Sequence, residues 1–285
     1  MSLLNLSGVS LHYGPTDAAP VLQNVSLNLA RGEFVSVIGR SGSGKTSLLN
    51  LAGGFVAPSS GRVSVDGRPV TGPGPDRAVV FQDDALYPWR SVRDNVALPL
   101  KLRGIDAASR KDKARQWLAA VGLQDHGDKH VWQLSGGQRQ RVGLARALAS
   151  EPEFLLMDEP LGALDAMTRD QMHELLLRLW RDSHAGALLI THSVEEAVFL
   201  STSVIVLAPS PGRIVHREDF DFGRSKGAPV PPVARPSAPA HIITSEAEAI
   251  EIAQRLAADV AHRTHRIGQE RLAGLRARLV GARHV

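Results

Sequence analysis

The sequence contains no cysteine. That excludes disulfides and thiolate metal sites and suits a reducing compartment. No run of 18 apolar residues occurs either, so no spanning helix is expected. The opening Met1-Ser-Leu-Leu-Asn5 has neither the basic region nor the apolar stretch of a secretory signal. A soluble chain is expected, one that could still dock on a membrane protein. Basic excess is missing from most of the length as well. The formal net charge is +4, with a pI near 9.7. Yet residues 223–285 alone hold ten Lys and Arg against five Asp and Glu, more than the whole excess. The first 222 residues are close to neutral, and a nucleic-acid footprint across them is not expected.

What is present is enough apolar residue, 43 % of 285, to bury one large core or two modest ones. Leu4, Leu6, Val9 and Leu11, then Val25, Leu27 and Leu29, alternate with polar residues and predict strands. Phe34–Ile38 is a short apolar strand that runs into a Gly-rich turn, and Leu48, Leu49 and Leu51 open a helix behind it. Arg62–Val65 and Ala78–Phe81 read as strands around the turn Gly72-Pro-Gly-Pro75. Residues 91–150 carry a helical pattern. Strands return at 153–158, 187–191 and 204–207, with Met172, Leu175, Leu176 and Leu179 on an amphipathic helix between the first two. This is an α/β core with a helical insertion. After about 222 the composition changes. Five prolines between Pro229 and Pro239 mark a linker over 223–240. Residues 241–285 are expected to form a basic helical extension that opens on a Ser245/Glu248 capping box.

Five motifs fall in order along the first 222 residues. Gly39-Arg40-Ser41-Gly42-Ser43-Gly44-Lys45-Thr46 sits between the short strand and its helix. Glycines let backbone amides wrap a phosphate, and the helix N-terminus adds positive potential. Lys45 adds a charge for the β- and γ-phosphates, and the Thr46 hydroxyl is placed for Mg²⁺. Asp158 ends a buried strand and emerges at the carboxyl edge of the sheet, where phosphate sites lie. Its expected role is to hold Mg²⁺, with Glu159 polarising the attacking water. Alone, an Asp-Glu pair is more often a cap or an ion pair; beside a phosphate loop that balance reverses. Leu134-Ser135-Gly136-Gly137-Gln138 presents small residues and free amides at another helix start. Gln82 and His192, each just after an apolar strand, complete the series.

The order and spacing resemble the nucleotide-binding subunit of ATP-binding cassette (ABC) transporters over residues 3–222, and the run from Leu134 to Arg141 is similar to that family's signature. The likeness implies a P-loop ABC cassette with a mixed-sheet core, an antiparallel β subdomain and a helical subdomain near 91–150, acting as an ATPase on ATP and Mg²⁺. It implies that Ser135, Gly136, Gly137 and Gln138 cap the nucleotide of a second copy in a homodimer. It also implies that Tyr13 stacks on adenine, that Gln82 senses Mg²⁺ and the attacking water, that His192 contacts the γ-phosphate and that Asp165 crosses the dimer interface. Ser193 stands where the family usually has an acidic residue, and Leu161 where importers of this type often have Phe. Phe81 to Val96, with its Leu86-Tyr-Pro-Trp89, resembles importers of the nitrate, sulfonate and taurine group, most of all the taurine branch. Two permease subunits and a solute-binding protein are the implied partners, and the cytoplasmic face of the inner membrane the implied place. DNA-repair cassettes need a long coiled coil and translation factors two cassettes; neither is present in the sequence.

Overall fold

A computed structural model describes residues 2–14, 19–162, 164–209, 211–219 and 247. The expected linker at 223–240 and, but for Ala247, the expected extension at 241–285 lie outside the described residues. In chain order the first half comprises β1 (Leu3–Leu11), β2 (Leu22–Ala30), β3 (Phe34–Ile38), α1 (Lys45–Gly53), β4 (Ser60–Val65), β5 (Arg68–Pro69) and β6 (Arg77–Val80). The second half follows as α2 (Val92–Leu102), α3 (Ala107–Ala120), α4 (Gly136–Ala149), β7 (Phe154–Asp158), α5 (Ala166–Ser183), β8 (Gly186–Ile190), α6 (Val194–Leu200), β9 (Ser203–Ala208) and β10 (Arg213–Asp219).

Two sheets result. One is antiparallel in the order β2-β1-β4-β5; the other runs β10-β9-β3-β8-β7-β6, parallel except for β10 at its edge. Strands β3, β8 and β9 are buried along their whole length, as a parallel sheet covered on both faces requires. Alternate residues of β3, β7 and β8 serve two different cores, and β9 adds to one of them. Val35, Val37, Leu156, Leu188, Ile190, Ile205 and Leu207 pack with α1 and the antiparallel sheet. Phe34, Leu155, Met157, Ala187 and Leu189 pack with α2 to α5 on the other side. The core helix α5 buries the predicted Met172, Leu175, Leu176 and Leu179.

The spacing of Leu4, Leu6, Val9 and Leu11 is not strictly two, because Leu6 and Val9 are three apart. All four are nevertheless buried on one face. A bulge between Leu6 and Val9 takes up the extra residue, with Gly8 at φ 57°. Two strands escaped sequence reading. The two-residue β5 is too short to show a period, and β10 (Arg-Ile-Val-His-Arg-Glu-Asp) is mostly charged because one edge faces solvent.

Gly61 of β4 crosses the bulge so closely that a Cβ there would lie 2.3 Å from the Gly8 carbonyl oxygen, and its φ is 78°. Gly61→Ala should therefore destabilise the fold by about 2 kcal/mol or more, read as a lower midpoint in thermal denaturation.

Candidate active site

Five of the six described helices start on a side-chain cap. Ser91, Asp106, Ser135, Asp165 and Ser193 each accept a hydrogen bond from a main-chain amide of the first turn. Helix α1 is the exception: it starts at Gly44, with φ 89°, no side-chain cap and no acid in its first turn. Its free amides and the dipole behind them remain available to an anion. The loop from Gly39 to Gly44 folds over this end, with Gly42 also at positive φ. Ser43 places a buried hydroxyl in the loop that has no hydrogen-bond partner among the described residues. Lys45 is only 8 % exposed. Its ammonium donates to the carbonyls of Gly39 at 2.8 Å and Arg40 at 3.0 Å, which leaves one proton for a ligand. Burial lowers its pKa, and the nearby Glu159 and Asp158 carboxylates work against that shift.

Strand register brings the other groups to the same edge. Val37 pairs with Ile190, Ile190 with Asp158, and Met157 with Val80. Gly39, His192, Glu159 and Gln82 thus leave four adjacent strands at one level. Burial raises the Asp158 pKa; Glu159 adds to the rise, while a bond from the Thr46 hydroxyl and the charge of Lys45 oppose it. Thr46 and Asp158 are in contact, two hard oxygen donors beside the phosphate loop. Among the described residues no group of three or more His, Cys, Asp and Glu could hold a metal. That donor set fits Mg²⁺, which keeps water and takes one or two protein oxygens beside the phosphates of its ligand.

Glu159 has φ 43°, a strained value for a side chain of its size. Its amide donates to the Ile190 carbonyl at 2.9 Å. The left-handed turn aims its carboxylate at the next strand, where Oε2 lies 3.2 Å from Nδ1 of His192. The His192 ring is largely exposed. Its two neighbours are not: Thr191 is buried, and Ser193 caps α6. On the far side of the loop, the exposed Tyr13 donates from its hydroxyl to Ser47 Oγ of α1 at 3.4 Å.

Ser135–Gln138 stands apart from these groups. It opens α4, which packs on α2, α3 and β6. The strand β6 lies three places from β3, about 14 Å at the usual spacing. Ser135 Oγ accepts from the Gln138 amide at 3.3 Å, and Gln138 Oε1 accepts from the Ser135 amide at 3.0 Å. This reciprocal box uses both side chains and leaves the intervening amides open. A Cβ on Gly137 would meet Thr168 at 3.0 Å, so the turn rests on the start of α5, beside the exposed cap Asp165. Behind Gln138, Arg139 pairs with Asp84 at 2.8 Å, and Arg146 donates to the carbonyls of Ala85 at 2.8 Å and Asp84 at 3.1 Å. These bonds tie the segment after Gln82 to α4. Buried Asn95 braces the same segment through the backbone of Tyr87 and Ser91. Tyr87 and Trp89 meet edge to face on its exposed side.

The family described as ABC transporter matches residues 22–162. A taurine import ATP-binding protein of Mesorhizobium japonicum is 55 % identical over 231 residues, 81 % of this chain and 90 % of that one. Its counterpart in Sinorhizobium fredii is 58 % identical over 218 residues, 75 % of this chain and 82 % of that one. The chain belongs to the ABC transporter ATP-binding family. Among solved structures, the dimeric ATP-binding cassette MJ0796 in a post-hydrolysis state, bound to ADP and Pi, superposes with a TM-score of 0.68. It is 32 % identical and covers 76 % of this chain and 98 % of that one. An ABC cassette is therefore the fold, as its motifs imply, and its activity is that of a transport ATPase. Among the described residues no helix is long and apolar enough to cross a membrane.

Sequence reading missed a buried polar group beside this edge. Glu196 is 6 % exposed and bonds Thr191 and His173. The Ser193-x-x-Glu196 spacing was a signal, but it points only to a capping box. The raised pKa of Asp158 has a measurable sign. Its carboxylate is less comfortable in the folded chain than in water, so Asp158→Asn should melt at a higher temperature than the parent without nucleotide, while hydrolysis is lost. A lower melting temperature for Asp158→Asn would contradict the burial cost.

Proposed function

We propose that this chain is the ATP-hydrolysing subunit of a taurine importer, working as a homodimer on two permease subunits supplied by a solute-binding protein. It would sit at the cytoplasmic face of the inner membrane. One observation carries the ATPase mechanism. Lys45, Thr46, Asp158, Glu159 and His192 converge at one sheet edge, while Ser135–Gln138 opens α4, a helix packed on β6, three strands from the phosphate-loop strand β3. A nucleotide on the loop of one copy would meet the open amides of Ser135–Gln138 only from another copy. The solute rests on the identity to taurine import proteins and on the Leu86–Trp89 segment.

The amides of Gly39–Gly44 and the α1 terminus bind the phosphates, with Lys45 neutralising charge between the β and γ groups. Arg40 and Ser41 belong to the same wrap, and the Tyr13 ring takes the adenine. Thr46 and Asp158 would hold Mg²⁺, with Gln82 completing its surroundings, and the ion would neutralise charge building on the phosphates. Glu159 receives a proton from the attacking water, oriented by its strained backbone. The His192 imidazole, 3.2 Å from that carboxylate, steadies it and faces the terminal phosphate. Ser135, Gly136, Gly137 and Gln138 of the second copy close over the same phosphate, and Asp165 lies at the seam. No covalent intermediate is needed, since phosphoryl transfer to water is achieved by positioning and electrostatics.

Glu159→Gln keeps shape and hydrogen bonding but not the basic group. It should bind ATP and form the dimer, seen by light scattering, while phosphate release falls by about 10²- to 10⁴-fold. Brisk turnover would remove Glu159 from the role. With its permease in vesicles, the parent should accumulate labelled taurine in an ATP-dependent way; uptake of nitrate but not taurine would overturn the solute assignment.

A further inference from the structure

Behind His192, the buried Thr191 and Glu196 and the half-buried Ser193 and His173 form a polar network that the hydrolysis scheme does not use. Thr191 is 1 % exposed and Glu196 is 6 % exposed. The Thr191 hydroxyl donates to Glu196 Oε2 and accepts from the Ser193 amide at 3.1 Å. The other Glu196 oxygen lies 3.2 Å from Nε2 of His173 on α5. The Glu196 amide donates to Ser193 Oγ at 3.2 Å, which is half of a capping box. The other half is missing. In a Ser-x-x-Glu box the acid reaches back to the amide of the cap residue, but here that amide goes to Thr191. Glu195 takes the Ser193 hydroxyl at 3.1 Å, and the Glu196 carboxylate turns inward instead.

A carboxylate is costly to bury, and nothing about capping α6 requires it, since Ser193 performs the cap. Its position does explain something else. His192 has an exposed ring, and among the described residues the one hydrogen bond of that ring is to Glu159. An imidazole so weakly held by its own contacts takes its placement from its backbone. That backbone is fixed from both sides: the Thr191 amide bonds the Val37 carbonyl at 3.2 Å on the strand leading to the phosphate loop, and the Thr191 side chain is clamped by Glu196. We propose that Glu196 is a positioning residue for hydrolysis. Through Thr191 it fixes the turn carrying His192 against the phosphate-loop strand, and His173 holds the carboxylate from α5. Small displacements of a group acting on the reacting phosphate are expensive, about 10²-fold for 1 Å, so a buried clamp is worth its desolvation.

This inference rests on the assignment of His192 to the terminal phosphate, which His192→Ala tests by itself through loss of hydrolysis. For Glu196, steady-state hydrolysis by the full chain is measured alongside the histidine side-chain NMR spectrum, where the His192 signal is identified by its disappearance in His192→Ala. Glu196→Ala should lower kcat by about 10- to 100-fold with KM for ATP within about twofold, and should shift or broaden the His192 signal. Glu196→Gln, which can still accept from Thr191, should recover most of kcat. Thr191→Val removes a single hydroxyl and should reproduce the loss, so it decides the matter if Glu196→Ala does not fold. Unchanged kcat in Thr191→Val, or a loss of kcat with the His192 signal unmoved, would overturn the role.

Discussion

A sheet buried on both faces can carry polar chemistry only at its ends, and the rest of this molecule follows from that constraint. Strands β3, β8 and β9 expose nothing along their length. Alternate residues of β3 and β8 are committed to two separate apolar cores, and β9 adds to one of them. Every group that handles charge is therefore pushed to the residues just past a strand: Gly39 to Lys45, Glu159, His192 and Gln82. Crowding Lys45, Asp158 and Glu159 there sets burial against attraction. Burial lowers the lysine pKa and raises that of Asp158, and each opposes the other's shift through its own charge. An anion with its cation supplies the charges that this arrangement is short of.

The strands that face only apolar layers were legible because burial on both sides leaves a continuous apolar run, as in Phe34–Ile38 and Gly186–Ile190. The phosphate loop was legible for a different reason: glycine at fixed spacing and a lysine just inside a helix have few other uses. What stayed hidden was whatever depends on pairing between distant segments. The bulge at Gly8 left one mark in the sequence, the three-residue step from Leu6 to Val9, but its cause lies in the pairing with β2. Strand β10 hid because an edge strand with one solvated face can be charged throughout. Glu196 hid because its spacing from Ser193 suggested a cap, and only the third dimension shows the carboxylate turned toward Thr191 and His173.

Side-chain economy separates the two turns proposed to face phosphate. At α1 no side chain competes for the amides, and Gly44 opens the helix uncapped. At α4 the cap is complete, since Ser135 and Gln138 satisfy each other. The first turn is an open site bounded by its own lysine. The second is a finished edge, with Gly137 pressed against the start of α5 and the amides between Ser135 and Gln138 left open. A pre-formed edge suits a surface that must meet a partner repeatedly without reorganising.

The bonds from Arg139 and Arg146 to Asp84 and Ala85 make the aromatic segment ending at Trp89 and the start of α4 parts of one lever. Asn95 ties the same segment to α2 through the backbone of Tyr87. The chain enters the helical layer after β6 and leaves it before β7, so it crosses between the layers near Gln82 and near Pro152. On the proposed role, a push on the exposed aromatic end would be passed to Ser135 through these bonds, with Gln82 at one of the two crossings.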